Sequence, residues 1–488
     1  MPLNILSENV VEHAPLDAQA GCALPPPAVP KPARELSPET HPHGLFIETF
    51  GCQMNAHDTE RMRELMEPLG YRSVEDPGQA DVIILNSCDI REKAENKLMS
   101  ALGRLRELKR NRPDLVLAVA GCVAQVEGEK LLRRAPYLDV VVGTDQIRKV
   151  PELVQKVKSG AGPQLENAFW DPSDGVAADG AFVGAQEGYE PGSVTAFVTA
   201  MTGCDKKCAY CIVPFTRGKE RSRPMDSILQ EVKLLVGKGV REIMLIGQTV
   251  NTYGQDFSTG KPNFSDLLRE VCAVPELARV RFMTSHPRDL SDELIATLGE
   301  LHKVAAHLHL PVQAGSNRTL ERMGRGYTRE WYISRIQKLR AARPDISVTS
   351  DIIVGFPGET EADFADTMSL LEAVRFDNLF SFAFSERPGT AAATMDGALP
   401  VDVRKARLNI VQSRQRQFTR DFMEKHQGQV VEVLVDGPSR HDPSVLCGKT
   451  GQNVTVNFHG TAEPGVLTRI RVDEVKANTM FGTVVGAA

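Results

Sequence analysis

From Gly44 onward the chain alternates short apolar runs with longer stretches whose apolar residues recur at helical spacing. The run Leu45-Phe46-Ile47-Glu48-Thr49-Phe50 ends at Gly51-Cys52, and behind it Met62, Leu65, Met66 and Leu69 fall on one helical face. The run Asp81-Val82-Ile83-Ile84-Leu85-Asn86-Ser87-Cys88 precedes a charged helical stretch from about Arg91 to Arg110. A third, Leu115-Val116-Leu117-Ala118-Val119-Ala120-Gly121-Cys122, precedes another helix around Glu127 to Arg134. Strands alternating with helices predict a parallel sheet covered on both faces, an open flavodoxin-like α/β domain over residues 44–160.

Residues 161–191 are rich in Gly, Ala, Asp and Pro without periodicity and read as a linker. The βα pattern then resumes over residues 192–425, with strands ending near Gly203, Gly247, Ser285, Gln313, Gly355 and Ser385. Six units without a seventh or eighth predict an open, partial (βα)6 barrel whose mouth lies at the carboxyl ends of its strands. Its last stretch, Val401 to Lys425, carries seven basic residues against three acidic ones and reads as a basic helical connector. Residues 426–488 switch to period-two runs such as Val430-Val431-Glu432-Val433-Leu434-Val435, with turns expected at Asp436-Gly437 and Pro464-Gly465, and predict a small all-β barrel.

Composition narrows the class. The chain has 488 residues, a net charge of −6 and 42% hydrophobic residues, an ordinary globular balance. No apolar run approaches the ~18 residues a membrane helix needs, so no membrane is expected. Residues 1–43 hold Pro25-Pro26-Pro27, Pro30 and Pro32 but neither an apolar core nor an Arg-rich pattern. They read as a disordered tail rather than a targeting peptide, which makes the expected location cytoplasmic. Nine cysteines is an odd number for a disulfide framework and directs attention to metal ligation or catalysis.

Cys52, Cys88 and Cys122 each stand at the carboxyl end of a separate strand, where an open sheet places its ligand crevice. One such cysteine alone reads as a buried structural thiol; three at equivalent positions read as a site. A second set, Cys204-x3-Cys208-x2-Cys211, follows a strand. Three thiolates on one short loop can hold three irons of a cubane and leave the fourth open, whereas a zinc knuckle needs a fourth nearby Cys or His, and none follows before Cys272. Cys22, Cys272 and Cys447 are assigned to neither set.

The Cys204-to-Cys211 loop, with Tyr210 before its last cysteine, resembles the signature of the radical S-adenosylmethionine (SAM) enzymes. Together with the upstream trio it is similar to the methylthiotransferases of that superfamily over residues 44–488. Further matching words are Glu48-Thr49-Phe50-Gly51-Cys52-Gln53-Met54-Asn55, Cys88-Asp89-Ile90-Arg91-Glu92-Lys93-Ala94, Cys211-Ile212-Val213-Pro214-Phe215-Thr216-Arg217-Gly218, Met283-Thr284-Ser285-His286-Pro287 and His309-Leu310-Pro311-Val312-Gln313-Ala314-Gly315-Ser316. Ala314 stands where the family more often has Ser. The words resemble most the branch that acts on a prenylated adenosine beside the anticodon of tRNA. A threonylcarbamoyl-adenosine in tRNA and an aspartate of a ribosomal protein are the alternative substrates.

The resemblance implies two 4Fe-4S clusters: a radical-generating one on Cys204, Cys208 and Cys211, and an auxiliary one on Cys52, Cys88 and Cys122 that carries the sulfur to be inserted. It implies two SAM molecules per product, one donating methyl and one giving the radical. It also implies an electron donor such as flavodoxin or ferredoxin and a sulfur or cluster donor as partners, beside the anticodon stem-loop. The terminal barrel, with Gly448-Lys449-Thr450 and Val454-Thr455-Val456-Asn457-Phe458, resembles a TRAM domain. Its Arg440, Lys449, Arg469, Arg471 and Lys476 face six acids, so the barrel is not itself basic.

Five residues are cofactor candidates by position. Gln248, Asn251 and Gln313 follow strands and either bind the polar groups of SAM or cap loops. Gly355, in Gly355-Phe356-Pro357-Gly358-Glu359-Thr360, permits close backbone approach to a nucleoside or simply makes a turn, with Glu359 beside it. His286 and His309 read equally as core histidines or ligand contacts. Lys206, Lys207, Arg217, Lys219, Arg221 and Arg223 face only Glu220 between residues 206 and 223, and form either a strip that steers an RNA backbone or a solvated loop face.

Overall fold

The computed structural model describes residues 36–88, 92–170, 182, 184–185, 191–439 and 442–487. The expected tail up to residue 35, Asp89, Ile90, Arg91 and Arg440, and most of the expected linker beyond residue 170 lie outside the described residues.

Strands β1 (His43–Phe50), β2 (Tyr71–Ser73), β3 (Val82–Ser87), β4 (Val116–Gly121), β5 (Val140–Val142) and β6 (Gln164–Glu166) form one sheet in the order β2-β1-β3-β4-β5-β6. Every pairing is parallel, and the first five strands follow the flavodoxin-like order. The helices are α1 (Gln53–Met66), α2 (Glu92–Asn111), α3 (Cys122–Arg134) and α4 (Val150–Lys158). Successive residues of β3 feed opposite cores: Ile83 and Leu85 pack with Leu98, Leu102 and Val123 from α2 and α3, while Val82 and Ile84 pack with Met62, Met66 and Leu153 from α1 and α4. Burial on both faces is why these strands read as unbroken apolar runs.

Three local expectations are corrected. β6 falls in the segment read as linker, because a three-residue strand of half-buried Gln, Leu and Glu has no alternation to detect. α3 starts at Cys122, earlier than expected, since Gly128 at φ 40° and ψ −117° kinks the helix and hides the periodicity of its first turn. Leu69 is outside α1, which stops at Met66 ahead of Pro68 and of Gly70 at φ +82°.

The second domain contains β7 (Thr195–Thr199), β8 (Met201–Thr202), β9 (Arg221–Ser222), β10 (Glu242–Ile246), β11 (Arg279–Phe282), β12 (His307–His309), β13 (Ser347–Val354) and β14 (Asn378–Ala383). β7, β10 and β11 form one parallel sheet and β12, β13 and β14 another. A parallel bridge between Val280 and Val304 joins the two sheets, with the Ala305 amide donating to the Val280 carbonyl at 2.8 Å. The outcome is a six-stranded open barrel edged by β7 and β14. Helices α5 (Val213–Arg217), α6 (Met225–Gly237), α7 (Phe264–Cys272), α8 (Asp292–Glu300), α9 (Asn317–Arg322), α10 (Arg329–Ala342), α11 (Glu361–Val374) and the long α12 (Val401–Glu424) follow in chain order. The basic connector is thus one helix, and part of its charge is spent internally: Arg407 is buried against Glu359 and Arg414 pairs with Glu372.

β15 (Val430–Pro438), β16 (Leu446–Thr450), β17 (Thr455–His459), β18 (Leu467–Val475) and β19 (Thr479–Ala487) close into a barrel around Val433, Val435, Val456, Phe458, Ile470 and Val472. Asp436-Gly437 is a bulge within β15, not a turn: the register shifts between Val435 and Gly437, and Gly437 adopts φ +125°. The barrel is docked on the second domain by Arg279 and Arg281, which donate to the carbonyls of Lys449 (2.8 Å), Thr450 (2.5 Å) and Gly451 (3.1 Å), while both pair with Glu242. Among the described residues no helix is long and apolar enough to cross a membrane.

Candidate functional site

β1, β3 and β4 are neighbours in the sheet, so the residues that follow them converge. Cys52 caps the start of α1, Cys88 follows β3, and Cys122 opens α3. The Cys88 amide donates to the Phe50 carbonyl at 2.8 Å, and the Cys88 thiol shares hydrogen bonds with both Cys52 and Cys122. Cys88 and Cys122 are each only 2% exposed, whereas Cys52 is half-buried. Those hydrogen bonds hold the Cys52 thiol at about 6 and the Cys122 thiol at about 7, against the opposing cost of burial and with help from the Arg217 charge. Cys88 is pushed up by the same contacts.

A buried amide network fixes this end of the sheet. Asn55 Nδ2 donates to Asn86 Oδ1 at 3.0 Å, and Asn86 Nδ2 donates to the Asn55 carbonyl (2.8 Å) and to Thr59 Oγ1 (3.0 Å). Asn55 Oδ1 accepts from the Cys52 thiol at 3.3 Å. Gly121, at φ +91°, leaves no room for a side chain, because a Cβ would stand 2.4 Å from Asn86 Oδ1.

The second set lies on the loop between β8 and α5. Gly203, at φ +74°, begins it, and a Cβ there would lie 1.9 Å from the Lys219 carbonyl, so only glycine lets the loop return against itself. Cys204 Sγ is 3.2 Å from Thr249 Oγ1, and Arg325 Nη1 donates to Cys208 Sγ at 3.2 Å. Arg325 also donates to Tyr327 Oη (2.9 Å) and the Pro311 carbonyl (2.7 Å), which locks its guanidinium beneath the loop. Burial pushes the Cys211 thiol up to about 12 and raises Cys204 as well. All three cysteines line one cavity of about 370 Å³. A second cavity, of about 390 Å³, lies between β1 and α2 and is lined by Glu48, Phe50 and Lys97 among others, with no cysteine.

Both donor sets fit iron–sulfur ligation: each gathers three thiols from a rigid frame and leaves a coordination place open. Among the described residues no three His, Cys, Asp or Glu side chains are arranged as ligands of a single metal ion. A cubane asks for no such arrangement, since each of its cysteines takes a different iron.

The cofactor candidates divide. Gln248 Oε1 accepts from the Gly203 amide at 2.6 Å and so braces the cysteine loop. Asn251 is a clamp, donating to the His286 carbonyl (2.8 Å) and accepting from the His286 amide (2.9 Å). Gln313 is buried at φ +74° and pairs through its backbone with Asp351 and Ile353. Gly355, at φ +70°, packs against the Arg404 stem, and Glu359 Oε1 accepts from the Gly355 amide (2.9 Å) and Arg407 Nη1 (2.5 Å). Asn251 and Glu359 therefore shape the mouth through contacts within the protein. His286 is buried, which lowers its pKa to about 2, and its Nδ1 accepts from the Arg288 amide at 3.3 Å, while His309 Nδ1 lies 3.0 Å from Thr349 Oγ1.

The basic strip is corrected. Arg217 is buried and pairs with Asp58 at 2.7 Å; Arg223 is buried against Glu231; Arg221 pairs with Asp145 at 2.7 Å and stacks on Trp170; Lys206 pairs with Asp289 at 2.8 Å. Four of the six charges are thus neutralised, three of them by acids that the fold brings from distant segments and Arg223 by Glu231 eight residues on. Lys207 and Lys219 stay exposed on the rim of the cysteine cavity, beside Phe215, which is 52% exposed. Arg325 and Thr249, 117 and 45 positions from the cysteines they touch, and Asp58, the partner of Arg217, carry no motif signal of their own; contact in the fold reveals them.

Comparison with known proteins agrees in all three domains. A family described as uncharacterized protein family UPF0004 matches residues 44–143, the radical SAM superfamily matches 198–371, and the TRAM domain matches 424–485. The chain is 48% identical over 442 residues to a tRNA-2-methylthio-N(6)-dimethylallyladenosine synthase of Geobacter metallireducens, covering 90% of this chain and 97% of that one. It is 46% identical over 439 residues to the enzyme of the same name from Syntrophotalea carbinolica, covering 90% and 99%. Among solved structures, a radical SAM methyltransferase from Kitasatospora setae with cobalamin and a [4Fe-4S] cluster bound superposes with a TM-score of 0.52 at 13% identity, over 72% of this chain and 77% of that one, a likeness of fold.

Proposed function

The chain belongs to the tRNA-2-methylthio-N(6)-dimethylallyladenosine synthases, and from that premise we propose how its residues divide the work. The enzyme is a radical SAM methylthiotransferase that modifies tRNA, adding a methylthio group at carbon 2 of the prenylated adenosine beside the anticodon. The relatives' names do not favour the threonylcarbamoyl or ribosomal-protein alternative.

Cys204, Cys208 and Cys211 are assigned a radical-generating 4Fe-4S cluster, and Cys52, Cys88 and Cys122 an auxiliary 4Fe-4S cluster. When bound, the clusters and SAM supply the radical, the methyl group and the sulfur, chemistry that no side chain can perform. The residues of the chain position and tune. Arg325 and Thr249 place hydrogen-bond donors on the cysteine sulfurs, which stabilises thiolate charge. Gln248 keeps the loop closed on its glycine, while Gln313 and Gly355 shape the mouth in which SAM is expected, with Asn251 and Glu359 holding its walls. Lys207, Lys219 and Phe215 form the rim that receives RNA: two cations for the backbone and one aromatic face for a base. An electron donor of the flavodoxin or ferredoxin kind, and a sulfur or cluster donor, complete the cycle.

The observation that carries this reading is the presence of two separate three-cysteine sites, one at the sheet crevice and one at the open barrel's mouth. The test is nucleoside mass spectrometry of a prenylated anticodon stem-loop incubated anaerobically with reconstituted protein, SAM and a strong reductant. A methylthio adduct on the prenylated adenosine is the expected product. Deoxyadenosine without that adduct would move the substrate assignment elsewhere.

A further inference from the structure

The two cysteine sites are joined by a short physical path. α5 begins at Val213, directly behind Cys211 and Ile212, and ends at Arg217. It packs against α3, the helix that Cys122 opens. Arg217 Nη2 donates to Asp58 Oδ2 at 2.7 Å, and Asp58 sits on α1, the helix that Cys52 caps. Thr144 Oγ1 donates to the Thr216 carbonyl at 2.6 Å, and the Phe169 ring closes over Gly218. Arg217 is 4% exposed and Asp58 4%, so water is excluded from the pair.

Other charges of this seam are engaged among themselves: Arg221 with Asp145, Arg223 with Glu231, and Arg61 with Glu64. Carried by α5, which packs on α3, and held by Asp58 on α1, Arg217 stands between the helix that Cys52 caps and the helix that Cys122 opens. A buried cation is screened less, by solvent and by salt, than an exposed one. Gaining an electron makes a cluster more negative, so such a cation stabilises the reduced form over the oxidised one.

We propose that Arg217 is a positioning residue that pins the radical-cluster loop to the auxiliary site through Asp58 and raises the reduction potential of the auxiliary cluster. This rests on the reading that Cys52, Cys88 and Cys122 hold a cluster. Both Arg217→Gln and Asp58→Asn break the same ion pair, so loss of a merely structural pin would move the potential in one sense. Electrostatic control moves it in opposite senses. Arg217→Gln removes the cation, and the buried, unpaired Asp58 takes up a proton, so the potential falls. Asp58→Asn leaves the cation unopposed, and the potential rises. Arg217→Lys keeps the charge and stays close to the parent.

The experiment is an anaerobic redox titration followed by electron paramagnetic resonance, on full-length protein carrying Cys204→Ala, Cys208→Ala and Cys211→Ala so that only the auxiliary cluster contributes. Opposite shifts for Arg217→Gln and Asp58→Asn, with Arg217→Lys near the parent, support the proposal. Shifts of the same sense, or none, overturn it while leaving the cluster reading intact. If Arg217→Gln fails to retain iron, Asp58→Asn decides alone: an upward shift supports the proposal and an unchanged potential overturns it. A parent protein that holds no iron overturns the cluster reading and the proposal with it.

Discussion

Arg325 reaches the Cys208 sulfur at 3.2 Å from a position 117 residues further along the chain, with its other nitrogens tied to Tyr327 and Pro311. A donor so fixed stabilises a thiolate without reorganising, as partners behind metal ligands generally do. Arg325→Ala is expected to lower iron retention or SAM cleavage by about 10- to 100-fold. Arg325→Lys is expected to recover only part, because a single ammonium cannot reproduce the fork. Iron content and deoxyadenosine production measure both.

The two trios are expected to fail differently. Cys204→Ala, Cys208→Ala or Cys211→Ala removes a thiolate from the cavity-lining loop and abolishes SAM cleavage. Cys88→Ala, at the centre of the other trio, leaves reductive cleavage in place and stops methylthiolation. Deoxyadenosine and methylthio-nucleoside, quantified in one reaction, separate the outcomes. Full methylthiolation by Cys88→Ala would refute the division of labour.

Exposed and buried cations near Cys204 should separate by salt dependence. Lys207→Ala with Lys219→Ala removes two rim charges and is expected to weaken tRNA binding, with the slope of log K against log salt reduced by about 1 per lysine that meets a phosphate. Arg223→Ala instead takes from the buried Glu231 its nearest cation and is expected to lower the melting temperature. Filter binding over a salt series and thermal unfolding distinguish the two classes.

Glu60, on the buried polar face of α1, is raised to about 7 by burial, against the lowering influence of Arg61 and Arg63. Its carboxyl binds a proton in the folded chain at pH values where the unfolded chain, near 4.5, has lost it. The stability it contributes is present below about 4.5 and is lost as pH rises through about 7. Relative to Glu60→Gln, the parent is expected to lose thermal stability between pH 5 and pH 7.5, by at most about 3 kcal/mol for a shift of this order. Melting temperatures of both proteins at constant salt, compared across that window, measure the difference.

Much of the scaffold is written in local pattern. Apolar runs ending in Cys52, Cys88 and Cys122, each followed by a helical period, establish strands whose carboxyl ends share one edge, because a parallel sheet offers no other arrangement. Three cysteines within eight residues are close whatever the rest of the chain does. The roles of the charged residues are not local in this sense. Arg217 and Arg223 read like Lys207 and Lys219 along the sequence, yet the first two are neutralised, Arg217 by a carboxylate 159 positions away. Along α1, His57, Asp58, Glu60, Arg61 and Glu64 are buried, with Asp58 paired to Arg217 and Arg61 lying 3.7 Å from Glu231 in the second domain. The sequence by itself determined the alternation of strands and helices in the first two domains and the two sets of three cysteines. The tertiary structure decided which charges face water and which are sealed between domains, since removing a charge from solvent depends on partners that only folding brings into contact.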